Sequence, residues 1–217
     1  MVGSEKLMEA IAKNDVAEVQ ALLSADPGAV NARAPGGETP LLAAIYRNAD
    51  QIIEVLASQR ELDVFEAAAI GSRERLDELI GRDPSLVSSH SGDGWTALHL
   101  TAYFGKRDAA ELLLKRGASV HELSTNFMTN TPLHAAVAGK QDLALITLLL
   151  EHGADVNARS ASGYTALHLA ASRGNDALVD LLLGREADRG ARTDDGKTAA
   201  IIAREHGHHE LAKRLQQ

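Results

Sequence analysis

A four-residue phrase recurs in phase through this chain: Thr96-Ala97-Leu98-His99, Thr131-Pro132-Leu133-His134 and Thr165-Ala166-Leu167-His168. Each copy leads into alanines, a turn of small residues and a leucine run: Leu112-Leu113-Leu114, Leu148-Leu149-Leu150 or Leu181-Leu182-Leu183. Gly117-Ala118-Ser119-Val120 and Gly153-Ala154-Asp155-Val156 follow the first two runs. Weaker copies begin at Glu5, Thr39, Leu62 and Thr198, so the seven starts are spaced 34, 23, 34, 35, 34 and 33 residues apart. A period of this length implies units that each bury an apolar face against the next copy rather than around a central core.

The chemistry of the unit explains its residues. Thr at an N-cap accepts a hydrogen bond from an otherwise orphan helix N–H, and Pro at the next position loses nothing by lacking a donor. Leu98, Leu133 and Leu167 then point into the stack, and small residues such as Ala135, Ala136, Ala170 and Ala171 let neighbouring helices approach closely. The leucine run belongs to a second helix. Gly117 and Gly153 stand where that helix ends in a left-handed residue, a conformation that costs glycine little. Glu186 occupies the same place in the sixth unit.

Thr-Pro-Leu-His-x-Ala followed by Gly-Ala-Asp-x-Asn in a unit of 33 residues resembles the ankyrin repeat, and the resemblance runs from about Glu5 to Gln217. It is nearest to the bacterial type, in a family that includes many bacterial effectors. It implies an all-α solenoid: one domain over residues 1–217, of about seven helix–turn–helix units joined by short β-turn fingers and roughly 60–70 Å long at the usual helix spacing. It also implies that His99, His134 and His168 hold the fingers by hydrogen bonds to their backbone, and that Gly207-His208-x-Glu210 is the turn between the two helices of the last unit. The three C-terminal histidines, His206, His208 and His209, are thereby read as structural rather than as a metal site. The ends read as polar caps, with Lys213 and Arg214 suiting the C-terminal end of a last helix over 210–217.

The first half has its own character. A 57-residue offset relates Glu9-Ala10 to Glu66-Ala67, Asp26-Pro27 to Asp83-Pro84, and Gly37-x-Thr39 to Gly94-x-Thr96, which reads as an internal duplication. Between Leu56 and Val64 the usual finger is missing, and a bend is expected at 57–64. Charge divides likewise: residues 1–95 carry 8 Lys+Arg against 16 Asp+Glu, for −8, and residues 96–217 carry 14 against 14. This is a poor phosphate-binding surface, so no nucleic-acid partner is expected; the acidic half is suited to steering a basic partner.

With no cysteine, disulfides, thiolate metal sites and cysteine nucleophiles are excluded. The absence of such staples favours a reducing, cytoplasmic location. Met1 to Asn14 has no apolar signal segment, and the apolar run Leu143–Leu150 is too short to span a bilayer, so no membrane association is expected. No enzymatic motif emerges. Gly196-Lys197-Thr198 resembles the end of a phosphate loop, but Ala191 stands where that loop requires glycine. No catalytic residue, metal or cofactor is assigned.

The seven aromatics carry the functional signal: Tyr46, Phe65, Trp95, Tyr103, Phe104, Phe127 and Tyr164. Five of them fall on the finger and first-helix side of three consecutive units. Phe127 and Met128 lie in a finger, Val120 to Asn130, two residues longer than its counterpart before Thr165. Trp95, Tyr103, Phe104, Phe127, Met128 and Tyr164 are therefore expected as apolar anchors for a partner protein, with His90, Asp93, Asn126 and Asn130 as a polar rim. The resemblance implies protein–protein recognition by a monomer through its concave face and fingertips. The alternatives are a structural or inhibitory subunit of an enzyme complex and, with less support, a small-molecule receptor or enzyme using the groove.

Overall fold

A computed structural model describes residues 2–140 and 142–216. Fourteen α-helices in seven consecutive pairs make up the described residues, with no β-strand among them. The pairs are α1 (Val2–Ala12) and α2 (Val16–Ala25), α3 (Pro40–Tyr46) and α4 (Asp50–Ala57), α5 (Val64–Ile70) and α6 (Arg73–Arg82), and α7 (Ala97–Tyr103) and α8 (Arg107–Lys115). They continue with α9 (Pro132–Ala138) and α10 (Leu143–Glu151), α11 (Ala166–Ser172) and α12 (Asp176–Leu183), and α13 (Ala199–Glu205) and α14 (His209–Leu215). Gln217, expected to close the last helix, lies outside the described residues. No described helix is long and apolar enough to cross a membrane.

Helix starts follow the phrase. Thr39, Thr96, Thr131 and Thr198 are N-caps whose Oγ1 accepts from the backbone N–H three residues on, at 3.1 to 3.4 Å. Pro40 and Pro132 take the first helical position. Asp63 caps α5 instead, accepting from the N–H groups of Phe65 and Glu66 at 3.0 and 2.9 Å. Helix ends divide the chain. After α8 and α10 the chain turns through Gly117 and Gly153 at φ 94° and 87°, and after α12 through Glu186 at φ 66°. After α2 and α6 it enters short 3-10 turns, Pro27–Asn31 and Pro84–Val87, capped by Asp26 and Asp83.

The odd-numbered helices pack in an unbroken row from α1 to α13. The even-numbered helices form an outer row with close packing from α2 to α4 and from α6 through α8 and α10 to α12. Packing is weaker between α4 and α6, at the short link 58–63, and between α12 and α14. One core runs the length of the stack, with Leu41, Leu98, Leu133 and Leu167 buried in it beside the alanines of the inner helices. Truncating one such leucine to alanine costs about 2–5 kcal/mol, because the close-packed neighbours cannot collapse into the gap.

Between pairs the chain makes tight fingers. In four of them, a backbone N–H bonds the carbonyl four residues on, from Ala34 to Glu38, Ser91 to Trp95, Ser160 to Tyr164 and Thr193 to Lys197. The finger entering α9 is closed instead from Ser124 N–H to Asn130 O, which leaves two extra residues at its tip. Successive tips are joined by single backbone bonds: Thr125 N–H to Gly94 O, Ala161 N–H to Met128 O, and Asp194 N–H to Ser162 O.

Candidate functional site

Histidine fixes the fingers along the second half of the stack. Each ring sits three residues after its threonine cap, and the threonine Oγ1 lies 2.8 Å from Nδ1 in His99 and His134 and 2.9 Å in His168. The threonine backbone N–H also points at Nδ1, at 3.1 to 3.3 Å. The far nitrogen, Nε2, faces carbonyls of the next finger: Asn130 O at 2.8 Å for His99, Tyr164 O at 3.0 Å for His134, and both Ala191 O and Lys197 O for His168. Carbonyls only accept, so the proton resides on Nε2 and the neutral tautomer is fixed. Burial holds all three rings below the usual imidazole range, and His99 is pushed down to about 4. These are bolts between units. At the C-terminus, His206 and His208 bond the carbonyls of Ile202 and Ser172.

A cavity of about 370 Å³ opens on the finger side of this ladder. Six of the expected site residues line it: Trp95, Tyr103, Phe127, Met128, Asn130 and Tyr164, together with Ala138 and Leu169. Its origin lies in the repeat. In two units the residue before the threonine cap pairs with the residue seven after that cap. Trp95 meets Tyr103 edge to face, with ring centres 5.5 Å apart, and Lys197 meets Glu205 at 2.8 Å. In the unit between Trp95 and Tyr164 those two slots hold Asn130 and Ala138. Small residues where a neighbour carries two aromatics leave the space, and the enlarged finger leans over its mouth.

Phe127 is 87% exposed and Met128 37% exposed, both at that fingertip. The tip is not loose. Asn126 Oδ1 accepts from Met128 N–H at 3.1 Å and from Ser124 Oγ at 3.0 Å, and its Nδ2 donates to Asp93 O at 3.1 Å. Loop ordering already present in the free protein is an entropy cost that binding does not meet again.

Burial corrects the expectation for two anchors. Trp95 and Phe104 are only 7% and 9% exposed. Phe104 lies outside the cavity, its ring 5.1 Å from Tyr103 and 5.2 Å from Tyr46. Trp95 forms the cavity floor, whereas Tyr164 in the same slot is half-buried because Ser172 stands where Trp95 finds Tyr103. The polar residues also differ from a free rim. His90 Nε2 lies 3.1 Å from Leu123 O, Asp93 accepts from Ser91 and Tyr46, and Asn130 is buried with its N–H on Ser124 Oγ. They brace the fingers from within.

Two features escaped the sequence reading. Tyr46 donates to Asp93 at 2.9 Å, and its hydroxyl is pushed upward by burial and by the Asp93 carboxylate, so it stays a donor. Glu66 is fully buried: Oε2 accepts from Asp63 N–H at 3.1 Å, and Oε1 from Thr39 Oγ1 at 2.7 Å and from the Arg60 guanidinium. Its signal was present, since Glu66 stands three residues after its cap, in the histidine slot.

A family profile described as ankyrin repeats (3 copies) matches residues 64–160 and 140–217. The chain is 34% identical over 152 residues to neurogenic locus notch homolog protein 1 of Xenopus tropicalis, covering 70% of this chain and 6% of that protein. Against neurogenic locus notch homolog protein 2 of Homo sapiens it is 34% identical, over 65% of this chain and 5% of the other. A rat protein, ankyrin repeat and SAM domain-containing protein 6, is 31% identical over 51% of this chain and 12% of its own length. The chain thus spans a small fraction of these relatives, and the likeness lies in the repeats. With its recurring threonine caps, histidine bolts and paired helices, this chain belongs to the ankyrin repeat family.

Proposed function

We propose that this chain binds a partner protein through the groove between Trp95 and Tyr164, with Phe127 and Met128 as the exposed anchors and Tyr103, Tyr164 and Leu169 as the walls. Ankyrin repeats are protein–protein interaction modules. The observation that carries the assignment to this groove is a nearly fully exposed phenylalanine held on a braced fingertip beside an open apolar cavity. Exposed aromatic side chains over a desolvated pocket are where binding free energy concentrates, often 2 kcal/mol or more for one residue. Trp95, Phe104, His90, Asp93, Asn126 and Asn130 support this surface from beneath. We assign the groove no catalysis: its lining is mostly apolar, with Asn130, Ser160 and Ser162 the polar exceptions and no carboxylate, histidine, lysine or arginine among its described residues.

The test is a tagged pull-down from source lysate with three folded chains compared. These are the wild type, Phe127→Ser with Met128→Ser, and Ala138→Tyr, which fills the cavity from a half-buried helix end. Circular dichroism establishes folding first. A protein held by the wild type and lost by both variants supports the reading. A partner retained by both variants removes this groove from the role. Recovery of the chain's own second copy would redirect the assignment to self-association, and sedimentation would show it.

A further inference from the structure

A second cavity, of about 210 Å³, adjoins the first and shares Tyr103 and Ala138 with it. Its character is different. Lys140 and Arg173 contribute two cations, Asn48 an amide, and no carboxylate lines it. Among the described residues neither cation forms an ion pair. Arg173 donates to the carbonyl of Ala138, and Lys140 Nζ lies 3.4 Å from Asn48 Oδ1. One contact each leaves most of a guanidinium fork and most of an ammonium's donors without an acceptor among the described residues. The nearby Asp142 carboxylate caps α10, its Oδ1 accepting from the N–H groups of Ala144 and Leu145 at 2.9 and 3.2 Å, and the Asp93 carboxylate takes the Tyr46 hydroxyl; neither lines this cavity.

The backbone here is built for close approach. Lys140 N–H donates to Tyr103 O at 3.0 Å, and a Cβ on Gly139 would come within 1.9 Å of that oxygen. Glycine at 139 lets the end of α9 press onto the end of α7, which sets Lys140 beside the aromatic wall. The helix-end carbonyls of Tyr103 and Ala138 are thus both engaged, and the charged side chains that line the cavity are the two cations.

Resting on the groove assigned above, we propose that the partner is recognised as an extended segment with an apolar side chain in the larger cavity and an Asp or Glu carboxylate between Lys140 and Arg173. Side chains two apart on an extended segment share a face and stand about 7 Å apart, a step suited to adjoining cavities. Guanidinium and carboxylate match as fork to fork, so a charge-assisted bond here discriminates against uncharged side chains. An acidic side chain is the committed source, so the segment lies inside the partner's chain and not at its end.

Selection of phage-displayed random twelve-residue peptides against the full chain tests this, each peptide being followed by the coat protein and so lacking a free carboxyl end. The expected consensus has an apolar residue with Asp or Glu two positions away. Changing that acid to its amide in a synthetic selected peptide, with both ends blocked, should raise Kd about tenfold. Selection against the folded Lys140→Glu, Arg173→Gln variant should keep the apolar position and lose the acid or exchange it for Lys or Arg. An apolar consensus without acidic preference, or one indifferent to the charge change, overturns this inference and leaves the groove assignment standing. A second library displayed with free carboxyl ends that alone yields a consensus overturns it in favour of a chain terminus. No consensus dependent on Phe127 overturns both.

Discussion

The two halves of this stack solve one problem with different chemistry. From α7 onward, neighbouring units are bolted by neutral histidines that reach from a threonine cap to the next finger's carbonyls. In the first half, the same slot of the α5 unit holds Glu66, which reaches back to Thr39 and takes its countercharge from Arg60. The outer helices end differently as well, in left-handed residues after α8, α10 and α12 and in Asp-capped 3-10 turns after α2 and α6. The lesson is that the repeat prescribes a slot to be satisfied and not a residue. The neutral solution adds no charge beside the groove proposed for binding; the ionic one leaves the first half dependent on a buried charge being matched.

The largest effect should come from unmatching it. Glu66→Ala leaves the Arg60 guanidinium, whose side chain is only 19% exposed, with the Thr39 hydroxyl and the Asp63 N–H deprived of their acceptor. Removing one partner of a buried pair costs about 4 kcal/mol. Replacing both, as Arg60→Leu with Glu66→Leu, should recover most of that, since a buried pair and an apolar pair of similar volume are often close in stability. Urea melts of the three proteins decide it. A loss under about 1 kcal/mol for Glu66→Ala would mean the first half is held without the ionic bolt.

Acid should separate the halves in the opposite sense. His99 is held at about 4 in the folded chain against an ordinary 6.5, so the unfolded chain binds the extra proton between those values. Its contribution is full above pH 6.5 and declines as pH falls towards 4, by roughly 3 kcal/mol in all and about 2 kcal/mol of it by pH 5. His134 and His168 are lowered by burial too and add in the same direction. Units of a solenoid interact mainly with their neighbours, so the loss should be local. Hydrogen exchange at pH 7 and pH 5, corrected for intrinsic rates, should show protection falling in α7, α9 and α11 and holding in α1 and α3. Equal losses in both halves would break the comparison.

Much of this architecture was legible because the repeat writes local rules many times over. Thr96, Thr131 and Thr165, with Gly117 and Gly153, mark helix starts and stops that depend only on neighbouring residues. The site was legible in part, and the reason is specific. Whether an aromatic is exposed depends on its partner seven residues beyond the cap, in the same unit and on the adjoining ones. Trp95 is covered because Tyr103 and its neighbours are large, and the cavity exists because Asn130 and Ala138 are small. Residue type alone does not separate an anchor from a floor. Gly139 was opaque for a related reason, since its need arises from the Tyr103 carbonyl of the preceding unit.

The smallest expected effect tests the helix ends, where the two halves differ most simply. Glu186 has φ 66° in the place where Gly117 and Gly153 have 94° and 87°. A side chain in the left-handed region meets its own backbone, a cost glycine does not bear. The Glu186 carboxylate forms no ion pair among the described residues, while its carbonyl accepts from Asn157 Nδ2 at 3.2 Å, a bond that survives replacement. Glycine widens the unfolded ensemble, which subtracts a few tenths of a kcal/mol from the relief. Glu186→Gly should therefore stabilise the chain by roughly 1 kcal/mol. In a solenoid such a gain belongs mostly to the units that contact the changed one. The rise should appear in the exchange protection of α12 and α14 more than in that of α2 or α4. A melting temperature that falls on this substitution would show that the glutamate side chain contributes more than its backbone strain costs, and the left-handed stop would then be a place where this unit, like Glu66 in the first half, fills a repeat slot with a residue of its own.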